Sequence, residues 1–75
     1  MQDEILQLLA DSLEVDVSDI YLTSTSNDFA EWDSLGHLTI LQQLDIKYDN
    51  ITDRAPELAS ASTVKEIVDT VTSKT

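Results

Sequence analysis

The sequence predicts an all-α domain, a small four-helix bundle with three main helices and a short third one. Three observations lead there. Apolar residues recur at helical spacing in three stretches: Ile5, Leu6, Leu9 and Leu13; then Leu35, Leu38, Leu41 and Leu44 with Ile40 beside them; then Val64, Ile67, Val68 and Val71. Helix-start signals precede the second and third of these, at Asp33-Ser34 and at Thr63-Val64-Lys65-Glu66. No stretch alternates apolar and polar residues as a half-buried strand would. At 75 residues the chain is one domain, 1–75. A core this small is marginal, and a helical bundle is an economical way to build it.

In chain order, the first helix is expected over 2–14. Leu8 and Ser12 flank its apolar face, and Asp3 and Glu4 sit in the first turn, where carboxylates favour the helix dipole. Val15-Asp16-Val17-Ser18-Asp19 mixes β-branched residues with Asp and Ser, so the helix should stop near Glu14. Residues 15–33 form a long connection with a short helical turn at Asp19-Ile20-Tyr21 and a polar run from Thr23 to Asp28. Val15, Val17, Ile20, Leu22 and Phe29 are expected to pin it to the core.

The second helix spans 34–47, with Lys47 in its last turn. Gly36 in its first turn costs about 1 kcal/mol against Ala. Two readings stand side by side: a helix start that tolerates glycine, or room beside Ser34 for a bound group or partner. Asp49-Asn50 marks a turn, Thr52 caps a short third helix from Asp53, and Pro56 opens a turn through Ala59. In the last helix, 63–74, Thr63 and Glu66 form a capping box in which hydroxyl and carboxylate each cover an orphan N–H.

Charge narrows the partners. The formal net charge is -11. Nine acids and no Lys or Arg fall in residues 1–33, while Lys47, Arg54, Lys65 and Lys74 all follow. This argues against nucleic acid and against anionic membrane surfaces, and for protein partners with basic patches. There is no cysteine and a single histidine, so no disulfide frame, thiolate metal site or histidine cluster can form. No apolar run approaches the ~20 residues needed to span a membrane, and the acidic start is unlike a secretion signal. The expectation is a monomer in the cytoplasm, free-standing because the chain starts at Met1 and completes a bundle.

Catalytic constellations are sparse. Ser34 and His37 are three apart on one helix and within reach of each other. A hydrolase would also need an orienting acid and oxyanion donors in a closed pocket, which a bundle this small scarcely offers. The chain is therefore expected not to be an enzyme, with His37 a partly exposed helix residue. Ser34 itself stands at a helix start, where spare N–H groups and a partial positive charge suit a phosphate.

Asp33-Ser34-Leu35, within Trp32-Asp33-Ser34-Leu35-Gly36-His37-Leu38, resembles the phosphopantetheine attachment motif of acyl carrier and peptidyl carrier proteins. The resemblance runs along essentially the whole chain and is strongest in 31–44 and 58–71. It implies a four-helix bundle whose second helix begins at the modified serine. It implies 4′-phosphopantetheine on Ser34, taken from coenzyme A by a phosphopantetheinyl transferase. Asp33 would then hold the helix start and the basic transferase, Leu35 would be the exposed apolar contact for partners, and Leu38 and Leu41 would line the interhelical space. Further partners would be an acyl- or aminoacyl-loading ligase and acyltransferase or synthase enzymes.

Two departures qualify this. Leu44-Asp45-Ile46-Lys47-Tyr48-Asp49-Asn50-Ile51 stands where many members have a Phe-Gly-Ile-like segment before an acidic third helix. The outward face expected for the second helix, His37, Thr39, Gln42, Gln43, Asp45 and Lys47, is not acidic. The first bears on the length and position of the third helix; the second leans away from the general fatty-acid carrier and toward a dedicated carrier in a specialised pathway. The other reading, from a different class, is an unmodified acidic helical adaptor that binds basic protein surfaces.

Overall fold

A computed structural model describes residues 2–75; Met1, on which the free-standing expectation leaned, lies outside them. Four α-helices follow in order: α1 Gln2–Leu13, α2 Ser34–Lys47, α3 Ile51–Arg54 and α4 Val64–Lys74. Short 3₁₀ turns occupy Val17–Asp19, Ser26–Asp28 and Pro56–Ser60. The described residues contain no β-strand beyond an isolated bridge between Thr25 and Thr63, and no helix among them is long and apolar enough to cross a membrane. The domain is all-α.

The core is aliphatic. Ile5 and Leu9 of α1, Ile40 and Leu44 of α2, Ile51 of α3, Leu58, and Val64, Ile67 and Val71 of α4 are fully buried. α2 packs against α1, α3 and the Pro56 turn, while α4 closes the bundle against α1 and α3.

The helices α1 and α2 end the same way. The Val15 amide donates to the Ala10 carbonyl at 3.0 Å, with Glu14 left-handed at φ 59°. The Asn50 amide donates to the Asp45 carbonyl at 2.9 Å, with Asp49 left-handed at φ 55°. In each case a backward bond satisfies orphan carbonyls of the last turn. α1 thus stops through a left-handed residue at Glu14, rather than through the β-branched run after it.

The connection from 15 to 33 is strapped down. Ile20 and Trp32 are buried, and Val15 and Phe29 pack half-buried against the core. Val17 and Leu22, expected as pins, are exposed instead. The short helical turn lies at Val17–Asp19, two residues earlier than expected. Ser26 N donates to Ser62 O at 2.8 Å and Val64 N to Ser24 O at 3.0 Å, so the loop lies along the entrance to α4. Thr25 Oγ1 accepts from Asn27 N, and Asp28 Oδ2 accepts from Thr25 N at 2.8 Å, a reciprocal cap within the polar run.

Three expectations about the later helices are corrected. α3 starts at Ile51 behind left-handed Asn50, so Thr52 lies inside it and does not cap it. Its amide and hydroxyl instead donate to the two oxygens of Asp45, both at 2.9 Å, which fastens α3 to α2. At α4, Thr63 Oγ1 accepts from Glu66 N at 3.1 Å, but the Glu66 carboxylate accepts from the Thr63 hydroxyl at 3.0 Å and not from a backbone N–H. The third concerns the apolar stripe of α2: Leu38 does not join Leu44 in the core, being 51% exposed against 0%, while Leu35, which the resemblance implied to be exposed, is 75% exposed.

Candidate functional site

The site is built around the N-terminus of α2. Asp33 is the N-cap, with extended backbone, and its Oδ1 accepts from Gly36 N at 2.9 Å. The Asp33 carbonyl accepts from His37 N at 2.8 Å, the first bond of the helix ladder. Ser34 is therefore the first helical residue and is exposed. The first amides of a helix lack intrahelical acceptors, and the dipole makes this end positive. A 14-residue helix thus presents its first hydroxyl beside spare N–H donors.

Gly36 is explained by packing. A Cβ there would collide with the Glu31 carbonyl oxygen and press on Leu13 Cδ2 at 3.3 Å. The loop before Ser34 crosses the first turn of α2 so closely that only glycine fits. Of the two readings offered for this residue, the constraint comes from the protein's own backbone.

Trp32 and His37 hold that loop. Trp32 Nε1 donates to His37 Nδ1 at 2.9 Å, and His37 Nε2 lies 2.9 Å from the Leu58 carbonyl oxygen. An indole N–H can only donate and a carbonyl can only accept, so the two partners fix the tautomer with the proton on Nε2. The two rings are 13° from parallel with centroids 6.2 Å apart. With a 2.9 Å bond joining their edges, they lie side by side and are not stacked. Neither ring nitrogen is left to take a proton from Ser34. His37 is half-buried, and the lock ties the loop, α2 and the Pro56 turn together at one point.

Beside Ser34 runs an open groove of about 510 Å³, walled by Leu38 and Leu41 of α2 and by Ala59, Ser60 and Ala61 of the facing turn. Leu41 is half-buried there, Leu38 half-exposed, and Leu35 projects from the helix start. Asp33, Ser34 and Leu35 thus sit together by sequence adjacency at one helix end. The residues that sequence reasoning did not assign are Trp32, the Leu58 carbonyl and the Ala59–Ala61 wall. The aromatic next to the motif was the only available signal for Trp32. Leu58 is 21 residues from His37, and nothing in spacing or composition pairs them.

The outward face of α2 also differs from the expected set. His37 is tied up in the lock, Thr39 is half-buried with its hydroxyl donating to the Leu35 carbonyl, and Asp45 is held by Thr52. The exposed residues after Ser34 are Leu35, Leu38, Gln42, Gln43, Ile46 and Lys47, which include no acid. No protein-family model, no curated protein and no solved structure matches the chain.

Proposed function

We propose that the chain is an acyl or aminoacyl carrier protein, with 4′-phosphopantetheine attached through Ser34. The observation that carries this reading is the exposed Ser34 hydroxyl at the first position of α2, inside Asp33-Ser34-Leu35 and on a helix start fixed by the Asp33 cap. The residues present fit the group. The hydroxyl is open to an incoming transferase, the adjacent helix end favours a phosphodiester, and Leu35 and the Leu38–Leu41 groove offer apolar surface beside the attachment point.

In this reading the Ser34 oxygen attacks the pyrophosphate of coenzyme A. Its proton leaves to a base of the transferase, and 3′,5′-adenosine bisphosphate departs. The group supplies a terminal thiol that holds cargo as a thioester. The protein supplies position: Asp33 keeps the serine at the helix tip, and Gly36 and the Trp32–His37 lock keep the loop clear of it. A short tether then gives the cargo a high effective concentration at enzymes docked on the same surface. The chain acts as a cytoplasmic monomer served by a phosphopantetheinyl transferase, a loading ligase and an acyltransferase or synthase.

The acid-free exposed face of α2 supports a dedicated carrier over a general fatty-acid carrier. The acids near the motif, Asp28, Glu31 and Asp33, all precede the helix. This part fails if the protein sustains fatty-acid elongation by general synthase enzymes as well as a housekeeping carrier does.

The decisive experiment is intact mass after incubation with coenzyme A and a broad-specificity phosphopantetheinyl transferase, beside Ser34→Ala. The expected result is a gain of one phosphopantetheine that the substitution abolishes. A folded protein that gains nothing would overturn the carrier reading and leave the acidic adaptor.

A further inference from the structure

A second groove lies away from the α2 N-terminus. It runs between α1 and α2, encloses about 860 Å³ and is lined along residues 3–12 of one helix and 39–47 of the other. At 1.5 Å rise per residue, the α1 side is about 14 Å long, between two and three helical turns. Its apolar surface comes from Leu8 at the floor and from Ile46, which is 76% exposed although it is a large aliphatic residue. Its rim carries Asp3, Glu4 and Asp11. The one cation of the lining, Lys47, sits 3.6 Å from Glu4 and is outnumbered by the three acids.

We infer that this groove docks a cationic amphipathic helix of a partner protein. Two neighbouring helices with a trough between them are what a third helix packs into, and helix-in-groove recognition uses apolar anchors at i, i+3, i+4 and i+7. The anchors would cover Leu8 and Ile46, and flanking Lys or Arg would meet Asp3 and Asp11. Charge selects this occupant. A second copy of a chain carrying -11 would be repelled, and so would an anionic lipid surface. The acid-rich, base-free first 33 residues would speed the encounter with a basic partner. This surface is separate from Ser34, so a docked partner would leave the attachment point free. The inference does not depend on the carrier reading.

The test uses the whole protein and a synthetic 14-residue peptide of Lys and Leu with Leu at i, i+3, i+4 and i+7. Amide chemical shifts are followed during titration, with a Lys–Leu peptide of scrambled order as control. The expected result is shifts concentrated in residues 3–12 and 39–47. Ile46→Ser, an exposed position that should leave the fold intact, is expected to weaken binding about tenfold, the scale of losing one buried aliphatic anchor. Asp3→Asn with Asp11→Asn is expected to flatten the salt dependence. Shifts centred on Ser34–Leu38 and Ala59–Ala61, equal binding of the scrambled peptide, or unchanged affinity of Ile46→Ser would each overturn it. Ser34→Ala is expected to bind the peptide as the parent does, so failure here and failure of loading at Ser34 are read separately.

Discussion

His37 uses both ring nitrogens to hold the loop that delivers Ser34. Replacing it by Ala would leave the buried Trp32 indole N–H without its partner and take one of two donors from the Leu58 carbonyl, which keeps the Ala61 amide at 3.2 Å. An unsatisfied buried group costs about 1–3 kcal/mol, so His37→Ala is expected to lower stability by about 2 kcal/mol in urea unfolding followed by Trp32 fluorescence. A loss under about 0.5 kcal/mol, the range of an ordinary surface change, would mean the lock is not a structural device. Gly36 gives a test of sign. Helix propensity alone would make Gly36→Ala stabilising by about 1 kcal/mol. The collision with the Glu31 carbonyl reverses this, because backbone cannot step aside as a flexible side chain can. The expected result is a net loss of about 1–3 kcal/mol, and a stabilised variant would show that the loop yields freely. The sequence left both residues ambiguous for one reason. Their partners, Glu31 and Leu58, lie outside the periodicity of the helix that contains them.

At the scale of elements, α2 shows where a periodicity argument drifts. Leucines three apart step by about 300° around a helix, so each falls about 60° behind the last. From Leu35 to Leu44 the drift reaches roughly 180°, which puts the two ends of the series on opposite sides. Ile40 and Leu44, four apart, mark the true core face, and Leu35 and Leu38 turn outward. Leu44→Ala is therefore expected to cost about 2–5 kcal/mol, and Leu35→Ser less than about 0.5 kcal/mol. Similar losses at the two positions in chemical unfolding would refute this division of the helix. The helices themselves were legible: α2 runs over 34–47 as expected, α1 and α4 end within a residue of expectation, and Pro56 opens its turn. Helix ends were less so. Nothing about Glu14 marks it for a left-handed backbone, a conformation unfavourable for a residue with a Cβ. Glu14→Gly removes that strain and is expected to raise stability by about 0.5–1 kcal/mol, measured as a shift in the urea midpoint. A loss instead would show that Glu14 makes a compensating contact. The strap between Ser24–Ser26 and Ser62–Val64 was illegible because backbone pairing between distant segments leaves no pattern in their side chains.

The whole molecule carries 15 acids against 4 bases within a radius of gyration of 10.9 Å. Few of those charges are matched. Among the described residues the ion pairs are Lys47–Glu4 at 3.6 Å and Lys65–Asp69 at 3.4 Å, both exposed and each worth little. Arg54 is turned to carbonyls instead, donating to Tyr48 O at 2.6 Å and to Lys74 O at 3.3 Å, where it meets the negative ends of α2 and α4. The remaining carboxylates repel one another in the folded state more than in an expanded chain. At about 0.01 M salt the screening length is ~30 Å, longer than the protein is wide, and at about 0.1 M it is ~10 Å. Salt should therefore stabilise this fold, the reverse of what a surface held by ion pairs would show. Raising NaCl from about 10 mM to about 0.5 M is expected to lift Tm by about 5 °C or more, which for a domain of this size corresponds to about 1 kcal/mol. The rise should be steepest below about 0.1 M, where the screening length shrinks past the molecular radius. A Tm that stays flat or falls would mean that attractive contacts, Arg54 at the two helix ends foremost, outweigh the repulsion among the acids.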